Sequence, residues 1–565
     1  MRTDQTKTLV IGLDGGTFDV WLPLIEQGLM PNLASLMERG SWGNLESTIP
    51  PFTAAAWSSF ATGTNPGKHG ILSFQHTRDR FNYQLEGEGF ANARDLRGTL
   101  WEILSAAEKK LGVVNVPLTY PPRAINGYMI TGMLTPSKSQ TFTYPPELAE
   151  ALDPDYMIDV DFIRDEDDFR VRGFPLKTEM LSQICEMSRS RAKTCTKLLQ
   201  TREWDFFMVV FTGTDRILHF FWDDLEAMIT GSGSENDALQ RGIQTYVREL
   251  DDAIGQLVEI AGPSTNLFVI SDHGFGPAQT RRFYVNIWLE KLGLLHRRTS
   301  ADGFDLEYLR VALGRNRFLK TLLRRLLPQS AQDKATAFAR ESSKDIFDWA
   351  HTSAFFVPIY FHICGIEINT VDVHREGIVA LGSEYEKVRD QVIRESEHLV
   401  DPDTGQAIVR AAYRREDIFQ GPFVDEFPDI ILVLNPDYIG ARSLAGNSLV
   451  EPHTPTRSGE HRSEGIFIAR GPSLRPNMRL EDLRLMDMPP TLLHTLGLPV
   501  PESFDGQVVR DVFKPEFLSA HPVRKGELPS FRELDSQPTE SYSDSDESKI
   551  ADRLRGLGYL GRTYE

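Results

Sequence analysis

Short apolar runs recur along the chain between stretches of helical periodicity: TLVIGLD (8–14), LGVVNV (111–116), DFFMVVFTGTD (205–215), NLFVISDHG (266–274), DIILVL (429–434) and GIFIARGP (465–472). Continuous apolar strands that alternate with amphipathic helices predict a mostly parallel sheet covered on both faces, a three-layer α/β/α sandwich. Three of these strands run into a carboxylate, at Asp14, Asp215 and Asp272. In such a sheet they converge on the carboxyl edge, where open α/β folds bind their ligands.

Two segments break the alternation. From Leu295 to Lys344 the chain turns helical and basic, and LRVALGRNRFLKTLLRRLLP sets Arg310, Arg315, Arg317, Lys320, Arg324 and Arg325 around a leucine stripe. Near the end, ELDSQPTESYSDSDES (533–548) is acidic, serine-rich and poor in apolar residues, the composition of a disordered linker. The closing KIADRLRGLGYLG places Ile550, Leu554 and Leu557 on one face of a short helix that can dock back on the body. The expected organisation is a core in two parts, 1–294 and 345–515, with a helical insertion (a cap or lid candidate) at 295–344 and a tail at 516–565.

The net charge of −19 removes the basic surface that nucleic-acid polymers or anionic membranes require, so an anionic substrate needs a local positive centre. The basic insertion is the exception, and its 308–327 stretch offers a peripheral membrane contact as one alternative. Cys185, Cys195 and Cys364 have neither metal-ligand spacing nor an even count, so no disulfide framework follows. The amino terminus enters a strand without a signal-peptide core, and no apolar run approaches a membrane span. The expectation is a cytoplasmic protein without a transmembrane segment; oligomeric state stays open.

Chemistry gathers in four places. Asp272 and His273 end a strand before two close glycines, either as ligands or as a capping acid beside a surface histidine. Asp215 and His219 stand four residues apart, so on a helix they share a face and can grip one cation, or serve as an N-terminal acid over a packed histidine. His461, in a glycine-flanked loop before a strand, competes with His453 for a ligand role. Thr53 follows two prolines and opens an Ala-rich helix, where it is either an N-cap or a nucleophile that needs activation.

Taken in order, these parts resemble the alkaline phosphatase superfamily, in its type I phosphodiesterase/nucleotide pyrophosphatase branch. The resemblance rests on IGLDGG, a proline-preceded Thr53 followed by ATGTNPGKHGI, D-x-x-x-H at Asp215 and His219, SDHG at 271–274, GEH before GIFIARGP, and DMPPTLLHTLGLPVPESFDG. It implies an alkaline phosphatase-like fold and two divalent metal ions, most readily zinc. Asp14, Asp272, His273 and Thr53 would hold one, and Asp215, His219 and His461 the other. Three aspartates and a Thr53 alkoxide balance four positive charges, which agrees with that grouping. The implied activity is hydrolysis of phosphodiesters or nucleotide pyrophosphates, small-molecule substrates, through a covalent phospho-threonine.

The sequence departs from the branch where an asparagine commonly contacts a phosphate oxygen: Phe74 stands there. Phe74 itself, Lys68, and Arg317, Lys320 and Arg324 of the insertion are then the substrate-binding candidates. A phosphomonoesterase or phosphonate monoester hydrolase on the same site is the alternative, and a non-catalytic ligand-binding scaffold the alternative of another class. Sulfatase chemistry is disfavoured, because Thr53 cannot become formylglycine.

Overall fold

The computed structural model describes residues 7–76, 78–84, 87, 89–138, 141–160, 174–232, 237–298, 346–444, 446, 448–527 and 542–560. Its centre is a ten-stranded sheet. The Thr265–Ile270, Lys7–Leu13, Phe206–Phe211, Leu111–Val114 and Gly127–Ile130 strands lie side by side in that order and all run parallel. The strands are apolar on both faces because helices cover both: Lys7 alone of the first strand is exposed, and every residue of Phe206–Phe211 is buried. The Glu464–Arg470 strand joins antiparallel between Thr265–Ile270 and Ser41–Glu46. The fold is thus a mixed α/β architecture built on a large, mostly parallel central sheet.

One expected strand belongs elsewhere. Ile430–Leu434 sits in a separate antiparallel sheet with Ala354–Tyr360, Ile363–Ile368 and Val409–Arg414. A short buried apolar run reads the same in either setting, because direction is set by the partner strand and not by the run itself. This sheet contributes Phe355, Ile366 and Leu432 to a second hydrophobic core with Phe283 and Trp288, and Tyr360, Ile363 and Ile431 to the core around the central sheet. Of the insertion expected at 295–344, all beyond residue 298 lies outside the described residues, with Arg317, Lys320 and Arg324 and the 308–327 stretch.

The tail departs from expectation at one end and agrees at the other. Residues 528–541 lie outside the described residues, but Asp544–Gly556 is a helix, so the acidic run ends as structure. Ser543 caps it by accepting from the Asp546 N–H, and Asp544, Asp546 and Glu547 occupy its first turn, where the helix dipole favours negative charge. Ile550, Leu554 and Leu557 are buried in the main core, so the predicted face does dock. No helix among the described residues is long and apolar enough to cross a membrane.

Candidate active site

Three adjacent parallel strands deliver the three aspartates. Leu13 is in register with Phe211, and Gly12 with Ile270. Asp14 therefore leaves the central strand at the same level as the chain entering the Gly213–Thr230 helix, which carries Asp215 in its first turn, and as the turn that carries Asp272 and His273. His219 lies one helical turn beyond Asp215, and both are fully buried. His461 arrives on a short strand, Gly459–Arg462, paired antiparallel with Gly274–Pro277, which stacks its ring on His273 with centroids 3.6 Å apart. The SDHG glycine is required by the start of the next strand, Glu464–Arg470: a Cβ on Gly274 would stand 1.8 Å from the Glu464 carbonyl oxygen.

Thr53 opens the Thr53–Thr62 helix, with Phe52 as an extended N-cap, and every residue of that helix is buried. Its Oγ1 lies 3.3 Å from His273 Nε2. One turn on, Trp57 donates from Nε1 to Asp14 Oδ2 at 3.1 Å, so one helix face carries both the threonine and a prop for an aspartate.

The outer carboxylate oxygens of the cluster are held by the protein and the inner ones are not. Asp14 Oδ2 accepts from Trp57, Asp272 Oδ1 from the Gly15 N–H at 3.1 Å, and Asp215 Oδ2 from Arg216 and from the Tyr559 hydroxyl at 2.6 Å. Gly15 can turn its N–H inward because it adopts a φ of 71°. The opposite oxygens, Asp14 Oδ1, Asp215 Oδ1 and Asp272 Oδ2, are buried without a hydrogen bond. The histidines repeat the pattern: His219, His273 and His461 each donate from Nδ1 to a backbone carbonyl, of Gly459, Gly274 and Pro51. Each Nε2 then carries a lone pair, the tautomer that ligates metals, and Arg457 donates to that of His219 at 3.4 Å. His219 Nε2 and His461 Nε2 face each other at 3.0 Å, and lie 3.4 and 3.2 Å from Asp215 Oδ1. Lone pairs aimed at one another repel unless a cation lies between them. The residues present therefore fit divalent metal ions.

Asp14, Asp272 and His273 offer ligand atoms within 4.8 Å of one another, and so do Asp215, His273 and His461; His219, expected as a ligand beside Asp215, falls in neither group. His273, expected at one metal only, thus stands between both groups. Burial, then repulsion between the carboxylates, pushes the Asp14 carboxyl well above its usual range, and burial does the same to Asp272. Burial opposes the Asp215 carboxylate too, and the Arg216 guanidinium on its outer oxygen favours the charged form. Burial drives the His219 and His273 imidazoles down, which keeps them neutral.

The remaining candidates sit elsewhere. His453 accepts at Nδ1 from Arg282 at 3.1 Å and takes no part in either cluster. Lys68 pairs with Asp505 at 2.6 Å and donates to the Ser503 carbonyl, tying two loops together. Phe74 is 1% exposed and packs edge-on against Phe52 and Tyr559, with centroids 4.8 and 5.4 Å away. Four contributors escaped the sequence reading: Trp57, Arg216, Arg457 and Tyr559. Arg216 binds Asp159 at 2.8 Å as well as Asp215, and Arg457 pairs with Glu460 beside His219.

The chain matches the type I phosphodiesterase/nucleotide pyrophosphatase family over residues 8–355. No curated protein matches it. Among solved structures, phosphonoacetate hydrolase from Sinorhizobium meliloti 1021, in complex with phosphonoacetate, is 16% identical. The match covers 87% of this chain and 95% of that one, with a TM-score of 0.51. Human ectonucleotide pyrophosphatase/phosphodiesterase 5 is 13% identical over 90% of this chain and 100% of its own, with a TM-score of 0.46, and the murine protein in complex with AMP gives the same values. At such identities the structural likeness speaks for the fold. The family match spans more than half of the chain, and on that ground the protein belongs to the type I phosphodiesterase/nucleotide pyrophosphatase family of the alkaline phosphatase superfamily, a phosphoester hydrolase of a metal-dependent class.

Proposed function

We propose that the protein hydrolyses small phosphodiesters with Thr53 as nucleophile. The observation that carries this reading is the position of Thr53 Oγ1, at a helix amino terminus and 3.3 Å from His273 Nε2, beside both clusters of inward-facing ligand atoms. Asp14, Asp272, His273 and Thr53 would hold one divalent ion, and Asp215, His219 and His461 a second, zinc being our assignment for both. When bound, the pair supplies Lewis-acid charge for the phosphoryl oxygens and lowers the pKa of the threonine hydroxyl. Thr53 Oγ then displaces the leaving alcohol from phosphorus, and a phospho-threonine forms. The helix amino terminus favours the negative charge that gathers there. Water cleaves the phospho-threonine from the vacated side and restores the hydroxyl.

A diester is favoured over a monoester by what surrounds the threonine. Arg216 and Arg457, the buried guanidinium groups nearby, are already paired with aspartates and with Glu460, so neither is spare for a second negative charge. Phe52, Tyr360 and Tyr559 instead wall the His461 side with aromatic rings. The test compares p-nitrophenyl monoester, diester and phosphonate monoester on the metal-loaded protein. The diester should be preferred at least tenfold in kcat/KM, and Thr53→Ala should lose turnover of all three while keeping its metal. Full turnover by Thr53→Ala would end the assignment, and preference for the monoester would move the substrate class.

A further inference from the structure

The Tyr542–Leu560 segment reaches the site from the far end of the chain. It is anchored along its length: Tyr542 donates to the Leu134 carbonyl at 3.1 Å, Arg553 to the Thr135 carbonyl at 2.7 Å, and Ile550, Leu554 and Leu557 enter the main core. At its end Arg457 donates to the Leu557 carbonyl at 2.8 Å. Beyond the helix, Tyr559 turns into the site. Its hydroxyl donates to Asp215 Oδ2 at 2.6 Å and accepts from Arg216 at 2.9 Å. Its ring lies edge-on to His219 at 5.6 Å and to Phe52 at 5.7 Å.

The contact is selective. Asp215 has one oxygen, Oδ1, facing His219 and His461, and Tyr559 binds the other. A donor on the outer oxygen fixes the rotation of the carboxylate, which keeps the inner oxygen pointed at the two imidazoles. We propose that Tyr559 is a positioning residue for the Asp215/His219/His461 cation site, so that the active site is complete only with the carboxyl-terminal segment docked. The inference rests on the metal-site reading above and goes beyond it in assigning a role to the tail. Phe74 fits the same scheme: where a polar contact to phosphate was expected, it braces Tyr559 and Phe52.

The test uses the full chain and reads metal affinity separately from turnover. In Tyr559→Phe the ring and its packing remain and only the hydroxyl is lost. Zinc competition against a graded chelator should show one of two ions bound about tenfold more weakly and the other unchanged. With p-nitrophenyl diester, kcat should fall while KM stays constant, since the hydroxyl touches Asp215 and not the substrate. Leu554→Glu, which forces the helix off its apolar seat, should weaken the same ion at least as much. Zinc affinity within twofold of wild type in Tyr559→Phe would overturn the proposal, and so would a rise in turnover in either variant, since the segment would then be a plug. Zinc affinity is read without substrate, so a protein inactive on every ester would remove the proposed function and leave this inference standing.

Discussion

His69 shows how far a single side chain's chemistry is set by its neighbours. Its Nδ1 accepts from the Ile71 N–H at 3.2 Å, which leaves Nε2 to donate to Ser59 Oγ at 2.9 Å. A proton on Nδ1 would break the first bond, and burial lowers the imidazole pKa to about 3. Between about pH 6.5 and 3 the unfolded chain therefore binds a proton that the folded chain refuses, and stability falls as pH falls through that window. At pH 5 the loss from this group is roughly 2 kcal/mol. Urea unfolding at pH 7 and pH 5 should show a smaller difference in His69→Asn than in wild type by about that amount; equal differences would mean that His69 titrates normally. The clustering of Asp14, Asp215, Asp272 and His273 was legible because several acids and a histidine at strand ends share one edge of a parallel sheet. Arg216 was not, because an arginine inside a helix reads as solvated, and only Asp159, distant in sequence, makes it a buried partner of Asp215.

At the scale of elements, the tail separates what periodicity reveals from what composition conceals. The apolar face of Ile550, Leu554 and Leu557 was plain in the sequence and is buried as expected. The start of the helix was not, because serines and acids that read as disorder along a linker are an N-cap and a favourable first turn when an apolar face follows. Tyr559 lay in view between glycines, yet nothing local says that the chain turns inward there. The cap is testable on its own. Ser543→Ala should weaken the helix by about 1 kcal/mol, which is roughly a fivefold faster amide exchange across Asp544–Gly556 if that helix opens as a unit. Exchange at the wild-type rate would show that the apolar seat alone sets the stability of the segment.

Over the whole molecule, the two hydrophobic cores share the antiparallel sheet between them and are tied besides by a polar joint that no local pattern predicts. The stretch after Phe74 leaves the neighbourhood of the Thr53–Thr62 helix and carries Arg78, Arg80 and Tyr83. Tyr83 packs in the second core, and both arginines pair with Glu367, a fully buried acid on the Ile363–Ile368 strand. A lone glutamate in an apolar strand has no partner visible in sequence, since its cations come from nearly three hundred residues earlier. Burial alone would raise the Glu367 carboxyl; Arg78, the His374 hydrogen bond and Arg80 outweigh it and bring its pKa to about 2. Between about pH 4.5 and 2 the unfolded chain binds the proton first, so this joint contributes fully above pH 4.5 and is lost as pH falls toward 2. Glu367→Gln removes the charge and leaves two guanidinium groups at 7% and 12% side-chain exposure without it. That should lower stability at pH 7 by about 3–5 kcal/mol, and the variant should lose less further stability than wild type between pH 4.5 and 2. Because the joint holds the chain just after Phe74, which braces Phe52 and Tyr559, slack there should reach the active site as well. Turnover of p-nitrophenyl diester by Glu367→Gln should fall at temperatures where the protein is still folded by circular dichroism. Unchanged turnover up to the unfolding midpoint would confine the joint to stability and leave the second core without influence on the site.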